Sequence, residues 1–250
     1  MHEDGDEKMK VIVPIMGRPG SGKDTLAHRF AEDYIPNNVQ VIGTGDMIRG
    51  KLNEVLGDME RELASLSVPS KVGVTASELM YGSDEPLYGN HAQSSAWIKT
   101  ARFMQSGGQL KTETLVPFVN DTLKSVDGIV LASGWLRTRG QFEELLLKQA
   151  QSTGYQVTDP IEIKVSSDEA KTRILRGSRG RADDNPEAID TRNEFYDRAL
   201  HTLLNELNAY TNPQTEKPYI MRSIDGHGTP DEVYARFNRV VLGVLRPYLP

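Results

Sequence analysis

Two joined stretches, Val11-Ile-Val-Pro-Ile-Met16 and Gly17-Arg-Pro-Gly-Ser-Gly-Lys-Asp-Thr25, decide the fold of this 250-residue chain. The first is short, apolar and rich in β-branched residues, which predicts a buried strand. The second contains Gly17-x4-Gly22-Lys23, the phosphate-loop pattern, which requires a preceding strand and a following helix. Apolar residues then recur at helical spacing: Leu26, Ala27, Phe30 and Ala31. The phosphate-loop pattern therefore occurs in the context that it needs.

The chemistry of this loop suits a phosphate group. The first backbone N–H groups of a helix have no partner within the helix, and the helix dipole favours an anion there. Gly17, Gly20 and Gly22 let the backbone curve around a phosphate chain without Cβ clashes. The ammonium group of Lys23 can then reach the β and γ phosphates of a nucleotide.

The composition argues against several other classes of protein. A net charge of −6 and a pI near 5.5 do not indicate a nucleic-acid-binding protein. The absence of cysteine excludes disulfides and thiolate chemistry and fits a reducing cytosol. No apolar run reaches the ~20 residues of a membrane helix, and residues 1–8 form an acidic tail unlike a signal peptide. We therefore expect a cytoplasmic α/β protein that binds neither membranes nor nucleic acid.

Strands and helices alternate along the chain, which predicts a parallel sheet covered on both faces. Five apolar segments are the predicted strands: 9–16, 39–43, 128–133, 160–165 and 219–224. The alternation in Ile161-Glu-Ile-Lys164 indicates an edge-like position for the fourth strand. Ligands of such sheets bind at the carboxyl ends of the strands. The phosphate loop, residues 44–49 and residues 133–141 should therefore meet at one edge.

Helical spacing predicts helices over the segments between the strands: 44–63, 97–104, 115–123, 142–150, 167–176, 186–210 and 230–244. Two of them have recognisable starts, Asn185 before Pro186 and the capping box Thr229-Pro-Asp-Glu232. Residues 65–95 are rich in glycine, serine and proline, which predicts a loop-rich insertion. A solvated excursion and a binding role of its tyrosines and His91 both stay open.

Five motifs occur in series: Gly17-x-Pro-Gly-Ser-Gly-Lys-x-Thr25, Thr44-Gly-Asp-Met-x-Arg49, Gly134-x-x-Arg-Thr-x-x-Gln141, Gly180-Arg-x-Asp-Asp-Asn185, and Arg192 with Tyr196. In this order the chain resembles the adenylate kinases and related nucleoside monophosphate (NMP) kinases. The resemblance implies an α/β fold of the P-loop NTPase type, a three-layer sandwich with a five-stranded parallel sheet. Residues 9–43 and 112–250 would form its core, and residues 44–111 an NMP-binding segment enlarged by the insertion. Residues 176–185 would form a short lid, which has no room and no cysteine for a structural zinc.

The resemblance also implies the reaction, transfer of the γ-phosphoryl of ATP to a monophosphate with Mg²⁺. Such a transfer needs positioning and charge neutralisation, which arginines supply. The implied catalytic residues are Lys23, Arg137, Arg176, Arg181 and Arg192. The implied ATP-binding residues are Gly17, Pro19, Gly20, Ser21, Gly22, Lys23, Asp24, Thr25, Arg173 and Gly228. The implied NMP-binding residues are Thr44, Gly45, Arg49, Lys111, Gly134, Arg137 and Gln141.

Two of these residues bear on the acceptor base. Gln141 carries a donor and an acceptor, so it can recognise an adenine edge, as the matching family residue does. Thr44 resembles the AMP-type enzymes, although it could also be a helix N-cap. AMP is therefore the expected acceptor. For the arginines between 173 and 192, the alternatives are a solvated, salt-bridged face around Asp183 and Asp184, or a nucleic-acid patch.

The chain departs from the family at three places. Ser133 and Leu136 stand where the family has an aspartate, which orients waters around Mg²⁺, and a proline. Asp24 replaces the glycine that usually follows the loop lysine. One hypothesis is that Asp24 takes over metal orientation from the missing aspartate; the other is that it pairs with a neighbouring arginine. The third departure is the insertion at 65–95.

The leading hypothesis is thus a monomeric kinase that makes ADP from ATP and AMP. A second hypothesis keeps the enzyme but changes the acceptor to another monophosphate, such as UMP or CMP. A third, motivated by Ser133 and Leu136, is a nucleotide-binding regulatory module with weak turnover.

Overall fold

The computed structural model describes residues 9–34, 38–47, 50, 112–177 and 186–249. The strands are β1 (Val11–Gly17), β2 (Val39–Gly43), β3 (Ile129–Ser133), β4 (Gln156–Val157), β5 (Ile161–Lys164), β6 (Thr211–Asn212), β7 (Lys217–Pro218) and β8 (Arg222–Asp225). The α-helices are α1 (Lys23–Asp33), α2 (Thr112–Ser125), α3 (Arg139–Gln141), α4 (Gln149–Ser152), α5 (Ser167–Arg176), α6 (Pro186–Glu206) and α7 (Pro230–Leu245). A π-helix (Phe142–Lys148) and 3₁₀ turns at Leu207–Ala209 and Arg246–Tyr248 complete these elements, and residues 44–47 are also helical.

The central sheet is parallel, with the strand order β2-β3-β1-β5-β8. The short strand β4 pairs with Val11 and Ile12, and β5 pairs with the later residues of β1. Strands β6 and β7 form a separate antiparallel pair. This mostly parallel sheet with its helices confirms the predicted α/β fold of the P-loop type. The predicted lid and NMP-binding segment lie largely outside the described residues, as do the tail at 1–8 and the insertion at 65–95.

Two apolar clusters cover the two faces of the sheet, and successive residues of the strands alternate between them. Ile12, Met16 and Val130 point into the cluster that includes α2 and the π-helix. Val11, Val13, Ile15, Ile129 and Leu131 belong to the cluster that includes α1 and α7. This alternation makes a three-layer arrangement and leaves the ends of the strands to carry polar groups.

The predicted edge-like position of the fourth strand is wrong. Strand β5 lies between β1 and β8, and β8 is its outer neighbour. The polar residue that produced the alternating pattern, Glu162, is 2% exposed. Its carboxylate accepts hydrogen bonds from the Tyr196 hydroxyl at 3.0 Å and the Ser223 hydroxyl at 3.0 Å. The pattern therefore marks a buried, paired carboxylate, not a strand that faces solvent.

Two other predictions are corrected in detail. The fifth strand begins at Arg222, three residues later than expected, because the backbone N–H groups of Tyr219 and Ile220 donate outside the sheet, to the Tyr210 carbonyl and the Asp159 carboxylate. The helix predicted over 142–150 contains a π-helical stretch. By contrast, the capping box at Thr229 is confirmed, with Thr229 and Glu232 each accepting from the other's backbone N–H. Within the described residues, every helix is too short or too polar to cross a membrane.

Candidate active site

The phosphate loop joins β1 to α1 as the sequence predicts. Gly20 (φ 85°) and Gly22 (φ 84°) adopt left-handed conformations. A Cβ on Gly20 would stand 2.3 Å from the Ala170 carbonyl oxygen, whereas one on Gly22 would meet nothing within 4 Å. Helix α1 starts at Lys23, and its cap residue Gly22 offers no side-chain hydrogen bond. Without a side-chain cap, the N-terminus of α1 can accept an anion.

Four further residues of this loop have distinct environments. Ser21 is 1% exposed, and its hydroxyl has no hydrogen-bond partner among the described residues. A Cβ on Gly17 would come within 2.5 Å of that hydroxyl oxygen, so a side chain at position 17 would displace Ser21. Pro19 lies in the turn, and Thr25 is exposed on α1. Ser21 therefore has a buried hydroxyl that a ligand could satisfy.

Asp24 and Ser133 meet where α1 and β3 come together. The Ser133 hydroxyl, at the carboxyl end of β3, donates a hydrogen bond to a carboxylate oxygen of Asp24. Asp24 also interacts favourably with Arg137, whose pKa it raises. Asp24 and Ser133, more than a hundred positions apart in the sequence, are thus one local arrangement, and Asp24 also lies close enough to Arg137 for their opposite charges to attract.

A second group of residues lies at the ends of β2 and β3. The hydroxyl of Thr44 (5% exposed) donates to the Gly134 carbonyl at 3.1 Å, and the Arg137 Nε donates to the same oxygen at 3.2 Å. Gly134 is left-handed (φ 71°), and a Cβ there would crowd the Arg137 guanidinium at 3.2 Å. Gly45 follows Thr44 in the helical residues 44–47. The structure therefore brings Thr44, Gly134 and Arg137 together, as expected.

Arg137 and Arg192 form the cationic centre of this edge. Burial lowers the pKa of Arg137 to about 10, the neighbouring Arg192 lowers it too, and the Asp24 carboxylate opposes both effects. Arg192 lies on α6, far from Arg137 in sequence. Two guanidinium groups next to a phosphate loop can bind an anionic group together.

Gln141, at the end of α3, is 3% exposed, and its side-chain oxygen has no hydrogen-bond partner among the described residues. The short helix is capped by Thr138, whose hydroxyl accepts from the Gln141 backbone N–H. The fully buried Trp135 likewise has an unpartnered indole N–H in the described part of the chain. These polar atoms lie in the Gly134–Gln141 segment, where the resemblance expects the monophosphate.

The loop after β8 lies against α5. The Arg173 guanidinium donates to the Gly226 carbonyl at 3.0 Å and to Glu169 at 2.7 Å. Arg236 of α7 holds the same loop through the carbonyls of Asp225 (2.9 Å) and His227 (2.6 Å). The adjoining Gly228 has a positive φ of 116°. Two residues expected near the ATP base, Arg173 and Gly228, are therefore parts of one loop environment.

The remaining predicted residues are less informative. Arg176 is exposed at the end of α5. Arg49, Lys111 and Arg181 lie outside the described residues. The sequence did not single out Arg18, Glu162, Asp197 or Arg236, which contribute contacts around the site. The motif position of Arg18 could have drawn attention to it, whereas the contacts of Glu162 and Arg236 depend on tertiary packing.

The donor set at the phosphate loop fits a Mg²⁺ ion that is brought in with a nucleotide. Among the described residues, no three histidine, aspartate or glutamate side chains are grouped to hold an ion. Mg²⁺ usually takes only one or two carboxylates and completes its shell with waters and substrate phosphates. Asp24 supplies such a carboxylate at the phosphate loop, and it lines an open cleft of about 460 Å³ with His28 and Asp46.

Comparison with known proteins finds adenylate kinases over nearly the whole chain. The adenylate kinase of Micrococcus luteus is 26% identical over 234 residues, which are 92% of this chain and 90% of that protein. That of Thermus thermophilus is 25% identical over 236 residues (93% and 97%), and that of Bacteroides thetaiotaomicron 28% over 229 residues (89% and 94%). No family model matches the chain.

The fold, the phosphate loop and these relatives define a P-loop phosphotransferase. The relatives are adenylate kinases, and the chain is accordingly an adenylate kinase-like enzyme.

Proposed function

We propose that the chain transfers the γ-phosphoryl of ATP to AMP and forms two molecules of ADP, with Mg²⁺ bound to the ATP. The observation that supports this most is the meeting of Arg137 and Arg192 at the strand edge that also carries the phosphate loop. A site that only binds one nucleotide has no need of two mutually repelling guanidinium groups. Between two phosphate chains, the same groups neutralise the charge of the transferring group.

The donor half of the site is the phosphate loop. In the proposed reaction the first N–H groups of α1 and the Lys23 ammonium hold the β and γ phosphates of ATP. Arg173 and the loop at Gly226–Gly228 flank the ATP base. Bound Mg²⁺ would supply neutralisation of the phosphate charge, and Asp24 would orient its waters. The family's zinc-binding lid has no part in this proposal.

The acceptor half is built around Gly134. Arg137 binds the AMP phosphate, and the hydrogen bond from its Nε to the Gly134 carbonyl fixes the direction of its guanidinium. Thr44 bonds the same carbonyl and so keeps the ends of β2 and β3 together. The unpartnered oxygen of Gln141 accepts from the adenine amino group, which would satisfy a buried acceptor. Because UMP lacks a matching amino group, this contact favours AMP over UMP.

A coupled assay of ADP formation over AMP, UMP, CMP and GMP, with and without Mg²⁺, tests this function. We expect the highest kcat/KM with AMP and loss of turnover in EDTA. A preference for UMP or CMP would assign a different acceptor to the same chemistry. Tight ATP binding without turnover on any acceptor would instead indicate a regulatory module, as the replacement of the family aspartate by Ser133 allows.

A further inference from the structure

Arg18 is an arginine within the phosphate loop whose guanidinium is paired with a residue of α6. Its guanidinium bonds the Asp197 carboxylate of α6, with one contact at 2.8 Å, and lies 5.4 Å from the centre of the Tyr196 ring. Its side chain is only 17% exposed. This arginine of the phosphate loop is therefore engaged with a helix more than 170 positions away.

The same turn of α6 is also fixed to the sheet. The Tyr196 hydroxyl donates to Glu162 at 3.0 Å, and Ser223 donates to the other oxygen of that carboxylate. Glu162 is the register partner of Met16, the residue immediately before the phosphate loop. Loop, strand and helix are thus joined through a buried carboxylate and a partly buried ion pair.

Arg192 lies one helical turn before Tyr196, so both project from the same face of α6. It comes close enough to Arg137 for the two positive charges to repel. Any displacement of α6 would therefore change the distance between the two guanidinium groups. A fastening at the next turn opposes that displacement.

We propose that Arg18, Glu162, Tyr196 and Asp197 form a brace that positions Arg192 beside Arg137. Arg18 is then a positioning residue that acts through α6, and it is not a ligand of nucleotide phosphate. This inference rests on the proposed function, because it assigns Arg192 a role in phosphoryl transfer. Small displacements of a group at a transferring phosphate lower the rate strongly, although a partly exposed ion pair such as that of Arg18 and Asp197 contributes little to stability.

Steady-state kinetics and ATP calorimetry on Arg18→Ala, Asp197→Ala and the double variant test the brace. We expect each single variant to lower kcat roughly tenfold with little change in the Kd or KM for ATP, and the double variant to match the singles. Asp197→Glu should recover most of kcat. In an Arg192→Ala background, Arg18→Ala should have no further effect. The matched control is Arg198→Ala, since Arg198 is exposed on α6 and its Nε donates to the Glu194 carbonyl of its own helix.

Opposite changes in ATP affinity for the two single variants would contradict the proposed brace. If Arg18 binds phosphate, Arg18→Ala will weaken ATP binding, and Asp197→Ala, which releases Arg18, will tighten it. A readout that needs no turnover is the side-chain ¹⁵N signal of Arg192, which should shift in Arg18→Ala and Asp197→Ala but not in Arg198→Ala. An unmoved signal would disprove the brace. A wild-type chain that forms no ADP with any acceptor would disprove the proposed function separately.

Discussion

The Ser133 hydroxyl at the end of β3 donates a hydrogen bond to the carboxylate of Asp24 in the first turn of α1. By the resemblance, Ser133 stands at the position of an aspartate in the nucleoside monophosphate kinases, and Asp24 at the position of a glycine. The negative charge near the end of β3 is therefore present, but it is supplied by the neighbouring helix. A serine fits this arrangement because a second carboxylate there would repel the first.

Asp24→Gly tests whether this carboxylate serves the metal. We expect a higher Mg²⁺ concentration for half-maximal ADP formation, since the group that orients the Mg²⁺ waters is lost. The double variant Asp24→Gly with Ser133→Asp returns a carboxylate to β3 and should restore the lower Mg²⁺ requirement. An unchanged Mg²⁺ titration in Asp24→Gly would favour the other hypothesis, in which Asp24 serves only to neutralise Arg137.

Lys23→Ala should lower kcat by at least a hundredfold, because it removes a cation from the charge that develops on the transferring phosphoryl. Lys148→Ala is the matched control, since that lysine is exposed and pairs with Glu144 on the π-helix. Coupled assays on both variants, with circular dichroism to verify folding, are the measurement. Near-normal turnover of Lys23→Ala would refute the role of the phosphate loop.

Arg137→Met should abolish most activity without loss of stability. The pKa of Arg137 is lower in the folded chain than its ordinary value, so the native state holds this charge less well than the unfolded state does. At neutral pH, which is below both pKa values, the charge therefore opposes folding. We expect the free energy of unfolding of the variant to be unchanged or higher by about 1 kcal/mol in urea denaturation.

Anions should stabilise Arg137→Met less than they stabilise the wild type. Inorganic phosphate placed between Arg137 and Arg192 relieves their repulsion, so it should raise the Tm of the wild type more than that of Arg137→Met. The control is Arg222→Met, which removes an arginine already paired with Asp159 at 2.8 Å. If phosphate raised the Tm of all three proteins equally, the anion would have to bind at another site.

Gln141→Leu should raise the KM for AMP roughly tenfold or more and leave the KM for ATP unchanged. The substitution removes the buried oxygen that accepts from the adenine amino group, and leucine matches the size of glutamine closely. Initial rates at varied AMP and ATP provide the measurement. An equal rise for both nucleotides would indicate damage to the fold, and no change for either would remove Gln141 from the acceptor site.

Gly20→Ala should lower the free energy of unfolding by more than about 2 kcal/mol, because a Cβ adds a clash with the Ala170 carbonyl to the strain of a positive φ. Gly154→Ala separates the two effects: Gly154 also has a positive φ (79°), but a Cβ there meets nothing within 4 Å. Urea denaturation should show the smaller loss for Gly154→Ala. Equal losses of unfolding free energy in the two variants would mean that the structure accommodates the Cβ at position 20 without cost.

The sequence predicted the elements whose residues obey one strong local rule. The phosphate loop follows from its glycines and lysine, and α7 from the capping box at Thr229. The sheet follows from alternating strands and helices, which leave few topologies. Thr44, Gly134 and Arg137 could be grouped in advance because each follows the end of a strand.

Predictions failed where a tertiary contact overrides a local pattern. Glu162 alternates with isoleucines as a solvent-facing residue would, yet Tyr196 and Ser223 allow it to be buried. The π-helix after Gln141 is so short that its apolar residues have the same spacing as in an α-helix. The sequence pattern therefore does not distinguish the two. The hydrogen bond between Asp24 and Ser133 requires knowledge of which strand end lies beside α1.

The contact between Gly20 and α5 limits how this enzyme can evolve. The atom that a side chain at position 20 would strike is a backbone carbonyl, that of Ala170. Most steric conflicts can be relieved by a second, compensating substitution in the partner side chain, but every amino acid at position 170 carries the same carbonyl. A residue other than glycine therefore fits at position 20 only if α5 shifts as a whole, and that helix carries Arg173. For this reason, a substitution that changes the shape of the phosphate loop also moves the groups expected near the ATP base.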